Sequence, residues 1–258
     1  VVGFSRDGWT DMTIDRFAVL SDIHANSAAL SVCLDWIDRE GIKTLLCLGD
    51  LVGYNADPAV CLRWLRERGA VMIRGNHDRY VSGGPIDEIR ESTVQAVRWT
   101  QSALEEGDLA LLKELPDQKS WEERFLLVHG SARDPDEYIL SSDTAHANLT
   151  FLGERFPDVR VCFFGHCHLP MVVGGDLTEI RFHETRTVAL DRDATYLINP
   201  GSVGQPRDRC AKTSFAVFDP ERWDVRLVRL DYDIRRTQEQ IAKAGLDDGL
   251  AKRLELGM

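Results

Sequence analysis

The chain has no apolar run approaching the length of a membrane span, which argues against a helical membrane protein. An excess of basic charge is also missing. Lys and Arg total 31 against 42 Asp and Glu, for a net charge of −11. That balance excludes broad, sequence-independent binding to duplex nucleic acid, which needs a basic face. It leaves an anionic substrate open, because a bound divalent metal reverses the local field. The six cysteines form no C-x-x-C pair. Cys33, Cys47, Cys61 and Cys162 fall in predicted helices or strands, where cysteine acts as a small hydrophobe. All six are expected to be reduced, as in a cytoplasmic protein. The N-terminus, VVGFSRDGWTDMT, lacks a basic stretch followed by an apolar one, so a signal peptide is not expected. It also lacks an initiator Met; Met12 is a candidate start, and residues 1–12 are expected to be a non-native or disordered extension. There is no internal repeat, low-complexity segment or linker. A single domain over 13–258 follows, long enough for a sizeable core.

One pattern recurs five times. A short apolar run ends in a residue able to bind a metal. FAVLSDIH ends in Asp22 and His24, TLLCLGD in Asp50, and AVMIRGNHD in Asn76, His77 and Asp78. FLLVHG reaches His129, and VCFFGHCH ends in His166 and His168. Continuous apolar runs of this length are expected of strands covered on both faces. Helical stretches alternate with them. Asn26 can cap a helix that Gly41 ends, and Asp57-Pro58 can start another that Gly69 ends. Such alternation implies parallel pairing with right-handed crossovers. Sites then form beyond the carboxyl ends of the strands, so all five polar endings are expected on one sheet edge. Residues 86–115 read as helix and 143–155 as another, two helical insertions placed to roof the site. After His168 come short strands between Gly, Pro and Asp turns, expected to form a second, largely antiparallel sheet. Residues 232–256 read as a charged helical tail.

The endings supply two Asp, one Asn and four His as donors: Asp22, His24, Asp50, Asn76, His129, His166 and His168. Mixed imidazole and carboxylate donors suit Mn, Fe, Co, Ni or Zn better than Ca or Mg. Seven donors exceed one tetrahedral ion and fit two ions sharing a carboxylate. A pair of metals about 3.5–4 Å apart is a standard device for in-line displacement at phosphorus. Any one of these residues alone is more often a cap or a solvated loop residue. The combination, with Gly49, Gly75, Gly130 and Gly165 beside the donors, is what points to a site.

The ordered series SDIHAN, LGDLVGYN, RGNHD, VHGS and GHCH, over residues 21–168, resembles the calcineurin-like metallophosphoesterase superfamily. Its pattern is D-x-H, G-D, G-N-H-[DE], a lone His, then G-H-x-H. NPGSVGQPRD (199–208) and the tail YDIRRTQEQIAKAGL extend the likeness to most of the chain, toward the compact bacterial and archaeal branch described as phosphodiesterases or protein-phosphatase-like proteins. The usual G-H-T-H is Gly165-His166-Cys167-His168 here, which keeps both histidines and puts a thiol beside them. The resemblance implies an α/β fold, a four-layer αββα sandwich of two mixed β-sheets flanked by helices. It implies that Asp22, His24 and His168 hold one divalent transition metal and Asn76, His129 and His166 a second, with Asp50 between them. Manganese is the expected pair in vitro, with Fe, Zn, Ni or Co as alternatives.

The implied chemistry is hydrolysis of a phosphate ester. A water bridging two cations becomes hydroxide near neutral pH and attacks phosphorus in line. The resemblance makes His77 the general acid for the leaving alkoxide. Asp78 either orients it or caps the next helix. Tyr54 and Asn55 are candidates for substrate contact or for a packed loop. Arg74, Arg133 and Arg207 lie near motif ends and are candidate phosphate contacts, because arginine grips phosphate bidentately. Asn26 is expected to cap a helix, Asn199–Gly204 to form a turn behind the site, and His146 and His183 to lie on the surface. The expected substrate is small or nucleotide-like and the expected activity that of a phosphodiesterase. A phosphoprotein or dinucleoside-polyphosphate phosphatase is the alternative within enzymes. A non-catalytic scaffold of the same fold is the alternative outside them, and intact donors with an intact His77 speak against it.

Overall fold

In a computed structural model, residues 14–258 other than 88, 176 and 182 are described; the expected extension at 1–12 lies outside them. The chain begins with β1 (Phe17–Leu20), α1 (Ser27–Arg39), β2 (Thr44–Cys47), α2 (Pro58–Glu67) and β3 (Val71–Met72). Then come α3 (Asn76–Val81), α4 (Glu91–Ala103), α5 (Glu106–Glu114), β4 (Gln118–Trp121), β5 (Phe125–Val128), α6 (Ser142–Arg155) and β6 (Val161–Phe163). The last third holds β7 (Met171–Gly174), β8 (Leu177–Arg181), β9 (Arg186–Ala189), β10 (Tyr196–Asn199), β11 (Thr213–Asp219), β12 (Asp224–Leu230), α7 (Ile234–Lys243) and α8 (Asp248–Leu256).

Period-2 alternation within the apolar runs explains the layers. Phe17 and Val19 of β1 face a core shared with Phe125, Phe163 and Phe218, whereas Ala18 and Leu20 face α1 through Cys33, Leu34 and Ile37. Likewise Phe125 and Leu127 of β5 face the shared core, and Leu126 and Val128 face Ala145 and Leu152 of α6. These two strands are therefore covered twice, by a facing sheet and by a helix. The inter-sheet layer is aromatic: Phe17 stacks on Phe218 at 5.4 Å and meets Phe125 edge-on at 5.2 Å. Each such buried ring contributes about 1.5–3 kcal/mol. Cys33, Cys47, Cys61 and Cys162 are wholly buried free thiols in the two outer cores, and burial pushes the Cys33 thiol up to about 12.

Both sheets are six-stranded and mixed, in the orders β3-β2-β1-β11-β12-β9 and β4-β5-β6-β10-β7-β8. This corrects the expectation of one early sheet and one late one. β1, β2 and β3 are parallel neighbours in the first sheet, and β5 and β6 are parallel neighbours in the second. The late strands divide too, β11, β12 and β9 completing the first sheet and β10, β7 and β8 the second. A strand buried on both faces carries the same pattern in either sheet, so periodicity alone does not choose its partner.

Two further expectations change. Residues 86–115 are two helices, not one: Leu104 (φ −107°, ψ 147°) and Glu105 (φ −79°, ψ 161°) are extended between α4 and α5. The break lets Leu104 and Leu112 enter the same core while the apolar spacing runs on through it. The helix expected at 143–155 is α6, the crossover between parallel β5 and β6. It packs on the outer face of the second sheet, so it is not an insertion roofing the site. The tail helices take part instead. Ile241, Leu246, Leu250 and Leu254 of that tail share a core with Tyr54 and with Ala96 of α4.

Candidate metal centre

The strand ends of both sheets meet at one rim. Asp22, His24, Asp50 and His168 converge there, and Asp50, His129 and His166 form a second group, with ligand atoms in each group within 4.8 Å of one another. Asp50 belongs to both. Its Oδ2 lies 3.5 Å from His24 Nε2 and 3.4 Å from His129 Nε2, while its Oδ1 accepts from the backbone N–H of His77 at 2.8 Å. Asn76 Oδ1 joins the second group, 3.0 Å from His129 Nε2.

Backbone geometry aims these side chains. Asp22, His24, Asp50, His166 and His168 all sit at positive φ, between 48° and 62°. Each such residue costs on the order of 1–3 kcal/mol, sustained only where surroundings over-determine the turn. Here the surroundings do so. His24 N–H donates to Asp50 O at 2.8 Å, Asp22 N–H to Gly49 O at 3.1 Å, and Gly165 N–H to His129 O at 2.8 Å. His166 N–H donates to Asp22 Oδ2 at 3.1 Å. Gly165 lies so close to Ser21 and Asp22 that a Cβ there would collide with the Ser21 hydroxyl and sit 2.9 Å from Asp22 Oδ2. The expected turn at 199–204 lies behind the site: Asn199 Nδ2 donates to Gly165 O at 2.7 Å and Ser202 Oγ to Asp22 O at 2.8 Å.

Three imidazoles are anchored the same way. Nδ1 of His24 faces Val52 O at 3.2 Å, Nδ1 of His129 faces Leu48 O at 2.8 Å, and Nδ1 of His168 faces Gln205 O at 2.5 Å. A carbonyl only accepts, so each Nδ1 carries the hydrogen, and the neutral rings of His24 and His168 present a lone pair at Nε2. His24 Nε2 and His168 Nε2 then face each other at 3.2 Å with no hydrogen between them, while His129 Nε2 points between Asn76 Oδ1 at 3.0 Å and Asp50 Oδ2 at 3.4 Å. Buried His166 Nε2 has no hydrogen-bond partner, and buried Asp22 Oδ1 has only His168 Nε2 close by, at 3.2 Å. Convergent lone pairs and orphaned buried donors are satisfied together by cations, so the residues present fit divalent metals.

The electrostatics agree. Burial opposes the charge on Asp50, yet His129, His77 and His24 hold its carboxyl well below the usual range. Asp22 is lowered against burial mainly by His168. Burial also opposes a charge on His129, but Asp50 and Asp22 bring it up to about 10, so the carboxylates recruit a proton where a cation would serve. Burial drives the other imidazoles down, His77 to about 4 and His166 to about 3.

The remaining expected residues divide. His77 is in the site, its ring 4.8 Å from His24 and 4.2 Å from Tyr54. Its Nδ1 is buried against Gly53 without a partner, which leaves Nε2 as the working nitrogen. Asp78 does not orient His77. Its Oδ1 accepts from Leu51 N–H at 2.9 Å and Val52 N–H at 3.2 Å, and its Oδ2 from Gly75 N–H at 2.9 Å, so it ties the Asp50 loop to the start of α3. Asn55 is wholly buried and donates to His24 O at 2.7 Å, a backbone support rather than a substrate contact. Arg74 is turned away, gripping Asp117 through Nε at 2.9 Å and Nη2 at 2.7 Å. Arg133 pairs with Glu137 at 3.7 Å. Tyr54 and Arg207 do border the cluster. Tyr54 lies 4.6 Å from His24, and the Arg207 guanidinium is 5.9 Å from the Tyr54 ring. Asn26 caps α1 as expected, accepting from Ala29 N–H at 3.1 Å.

Three neighbours escaped sequence reasoning. Tyr138, 46% exposed, lies tilted over His166 with ring centroids 3.8 Å apart, and the Arg207 charge acts on its hydroxyl. Gln205 is buried behind His168, and Arg253 of α8 reaches Gln205 Oε1 at 3.5 Å. Gln205 lies within the NPGSVGQPRD block, which was the available signal. Tyr138 sits in a polar loop and Arg253 in a charged helix, where nothing marks them.

Two packed mixed sheets with a buried Asp/His cluster at their common rim define a metallophosphoesterase domain. The chain belongs to the calcineurin-like phosphoesterase superfamily, whose domain matches residues 16–222. It is similar to a metallophosphoesterase from Sphaerobacter thermophilus, with 33% identity and a TM-score of 0.82 over 94% of this chain and 100% of that one. It is 34% identical to an uncharacterized protein of Methanocaldococcus jannaschii over 95% of this chain and 100% of that protein. A hypothetical protein from Pyrococcus horikoshii OT3 shares the fold at 21% identity, with a TM-score of 0.79 over 95% of this chain and 99% of that one. No described helix is long and apolar enough to cross a membrane.

Proposed function

We propose that the protein is a dinuclear-metal phosphoesterase acting on phosphodiesters of small or nucleotide-like substrates. The observation that carries this reading is the pair of buried donor groups sharing Asp50. Asp22, His24 and His168 would hold one cation, Asn76, His129 and His166 the other, with Asp50 between them. Divalent ions there supply an activated water and neutralise charge for in-line attack at phosphorus. The chain's own residues do the rest. The Nδ1 anchors of His24, His129 and His168 fix the direction of each Nε2. His77, beside the cluster, gives a proton from Nε2 to the leaving oxygen as the P–O bond breaks. Burial keeps that ring neutral in the free protein, and an anionic substrate raises its proton affinity. Arg207 holds a non-bridging oxygen.

A diester fits better than a dianionic monoester. Tyr54 packs against His77 and Tyr138 lies over His166, aromatic faces beside the donor cluster that suit the two organic substituents of a diester. The test is hydrolysis of bis-p-nitrophenyl phosphate and p-nitrophenyl phosphate side by side with Mn²⁺, against a chelated control. The reading predicts faster, chelator-sensitive cleavage of the diester. Cleavage of the monoester alone replaces it with a phosphomonoesterase.

A further inference from the structure

Beyond the donor cluster lies a group of arginines for which, among the described residues, no carboxylate partner is found. Arg207 Nη2 donates to Gln205 Oε1 at 3.0 Å, and Arg253 Nη1 reaches the same oxygen at 3.5 Å. Two guanidinium groups therefore share one amide oxygen. Like charges this close repel unless an anion joins them. Arg74, Arg79 and Arg133 each hold a carboxylate, yet among the described residues Arg207, Arg253 and nearby Arg90 have none. The chain carries 42 acidic residues, so acids are not scarce. Burial disfavours the charge on Arg253, and Arg207 and Arg90 disfavour it further.

Two orphaned atoms mark the same place. Gln205 is fully buried and its Nε2 has no partner, and the buried Nε of Arg207 has none either. Gln205 is held at its backbone, whose oxygen faces His168 Nδ1, and at its side-chain oxygen, which faces the two arginines. The group is continuous with the centre, because Arg207 lies over Tyr54 and Tyr54 lies against His24 and His77. The C-terminal chain is fastened to this rim, Arg209 N–H donating to Gly257 O at 2.8 Å.

We propose that Arg207 and Arg253, joined through Gln205, form an anion subsite for a second phosphate on the substrate, next to the donor cluster. The proposal rests on the phosphoesterase reading and deepens it: the substrate is a nucleotide-like phosphodiester carrying a further phosphate group. Arg207 serves both phosphates, and Arg253, delivered by α8, is specific to the second. Arg90, close enough to disfavour the charge on Arg253, adds long-range attraction.

Calorimetric titration of the Mn²⁺-loaded protein tests this without relying on turnover. The probes are thymidine 3′,5′-bisphosphate and thymidine 5′-monophosphate, which differ only in the second phosphate. The wild type is expected to bind the bisphosphate at least about tenfold more tightly, as a charge-assisted pair warrants. In Arg253→Gln that advantage is expected to fall below about threefold, while Lys252→Gln, on the exposed side of the same helix, retains it. Equal affinity of the wild type for both probes, or an advantage that survives in Arg253→Gln, overturns the subsite. Failure of the enzyme reading shows separately, as absence of p-nitrophenyl diester hydrolysis in a protein that still discriminates the two probes.

Discussion

Asp50 is the residue on which both halves of the centre depend. Its Oδ2 stands between two imidazoles of different donor groups, and its Oδ1 is occupied by His77 N–H. Asp50→Ala is expected to lower bound Mn²⁺ below one ion per chain and diester turnover by at least about a hundredfold, since even outer-shell losses around metals cost 10–100-fold. Elemental analysis alongside the hydrolysis assay checks both. His77→Ala is expected to keep its metals and lose about a hundredfold on an alkyl leaving group, with a much smaller loss on p-nitrophenolate, which needs no proton. Equal losses on both would remove the acid role. At this scale the sequence revealed which residues converge, because each lies at the end of an apolar run. It did not reveal which arginines are free. Arg74 is taken by Asp117, 43 positions away, and pairing over that separation leaves no local trace. For Asp78 and Asn55 the sequence left a helix cap or packed loop open beside a site role, and it could not choose for a related reason. Both are polar residues spent on backbone groups of a neighbouring loop, and only the fold brings those groups near.

At the scale of elements, the strands were legible and their partners were not. Each apolar run became a strand, but the parallel runs are shared between two sheets, and α6 is a crossover rather than a roof. The break between α4 and α5 lies within continuous apolar spacing, so only the extended Leu104 and Glu105 reveal it. What the elements do for the site is set its closeness. Gly165 follows β6 and brings that strand's end against Ser21 and Asp22 beyond β1, joining the two sheets at the rim. Gly165→Ala is expected to leave the protein folded, with an unchanged far-ultraviolet circular dichroism spectrum. It should weaken Mn²⁺ binding at least about tenfold by displacing Asp22. Calorimetric metal titration reads this directly, and unchanged affinity would show that the sheets need not approach so closely.

For the whole molecule, the centre concentrates titratable groups that folding holds away from their ordinary pKa values, and stability must follow pH accordingly. His77 and His166 have folded values of about 4 and about 3 against 6.5, so the unfolded chain binds protons that the folded chain refuses. Their contribution is present above 6.5 and is lost as pH falls through that window. Asp22 and Asp50, lowered from 3.8, extend the loss to more acid pH. Two groups act oppositely. His129, raised to about 10, stabilises below 6.5 and loses that contribution as pH rises toward 10. Asp78, raised to about 7 by burial and Asp50, stabilises below 3.8 and loses that contribution as pH rises toward 7, but the lowered His24, His77, His166 and His168 outnumber it between 6.5 and 4. The metal-free protein is therefore expected to lose denaturant stability steadily from pH 6.5 to 4. Saturating Mn²⁺ at a hundred times its dissociation constant should add about 2.7 kcal/mol per site at neutral pH. A flat pH profile in the metal-free protein would contradict the burial of neutral imidazoles.

The central claim is a two-ion centre built on one shared carboxylate. Its most direct test is titration of Mn²⁺ into chelator-stripped protein at concentrations well above the dissociation constants, with bis-p-nitrophenyl phosphate hydrolysis followed at each step. The account predicts that activity rises with added metal and reaches its plateau at two equivalents per chain. A plateau at one equivalent, or full activity in the stripped protein, would contradict it.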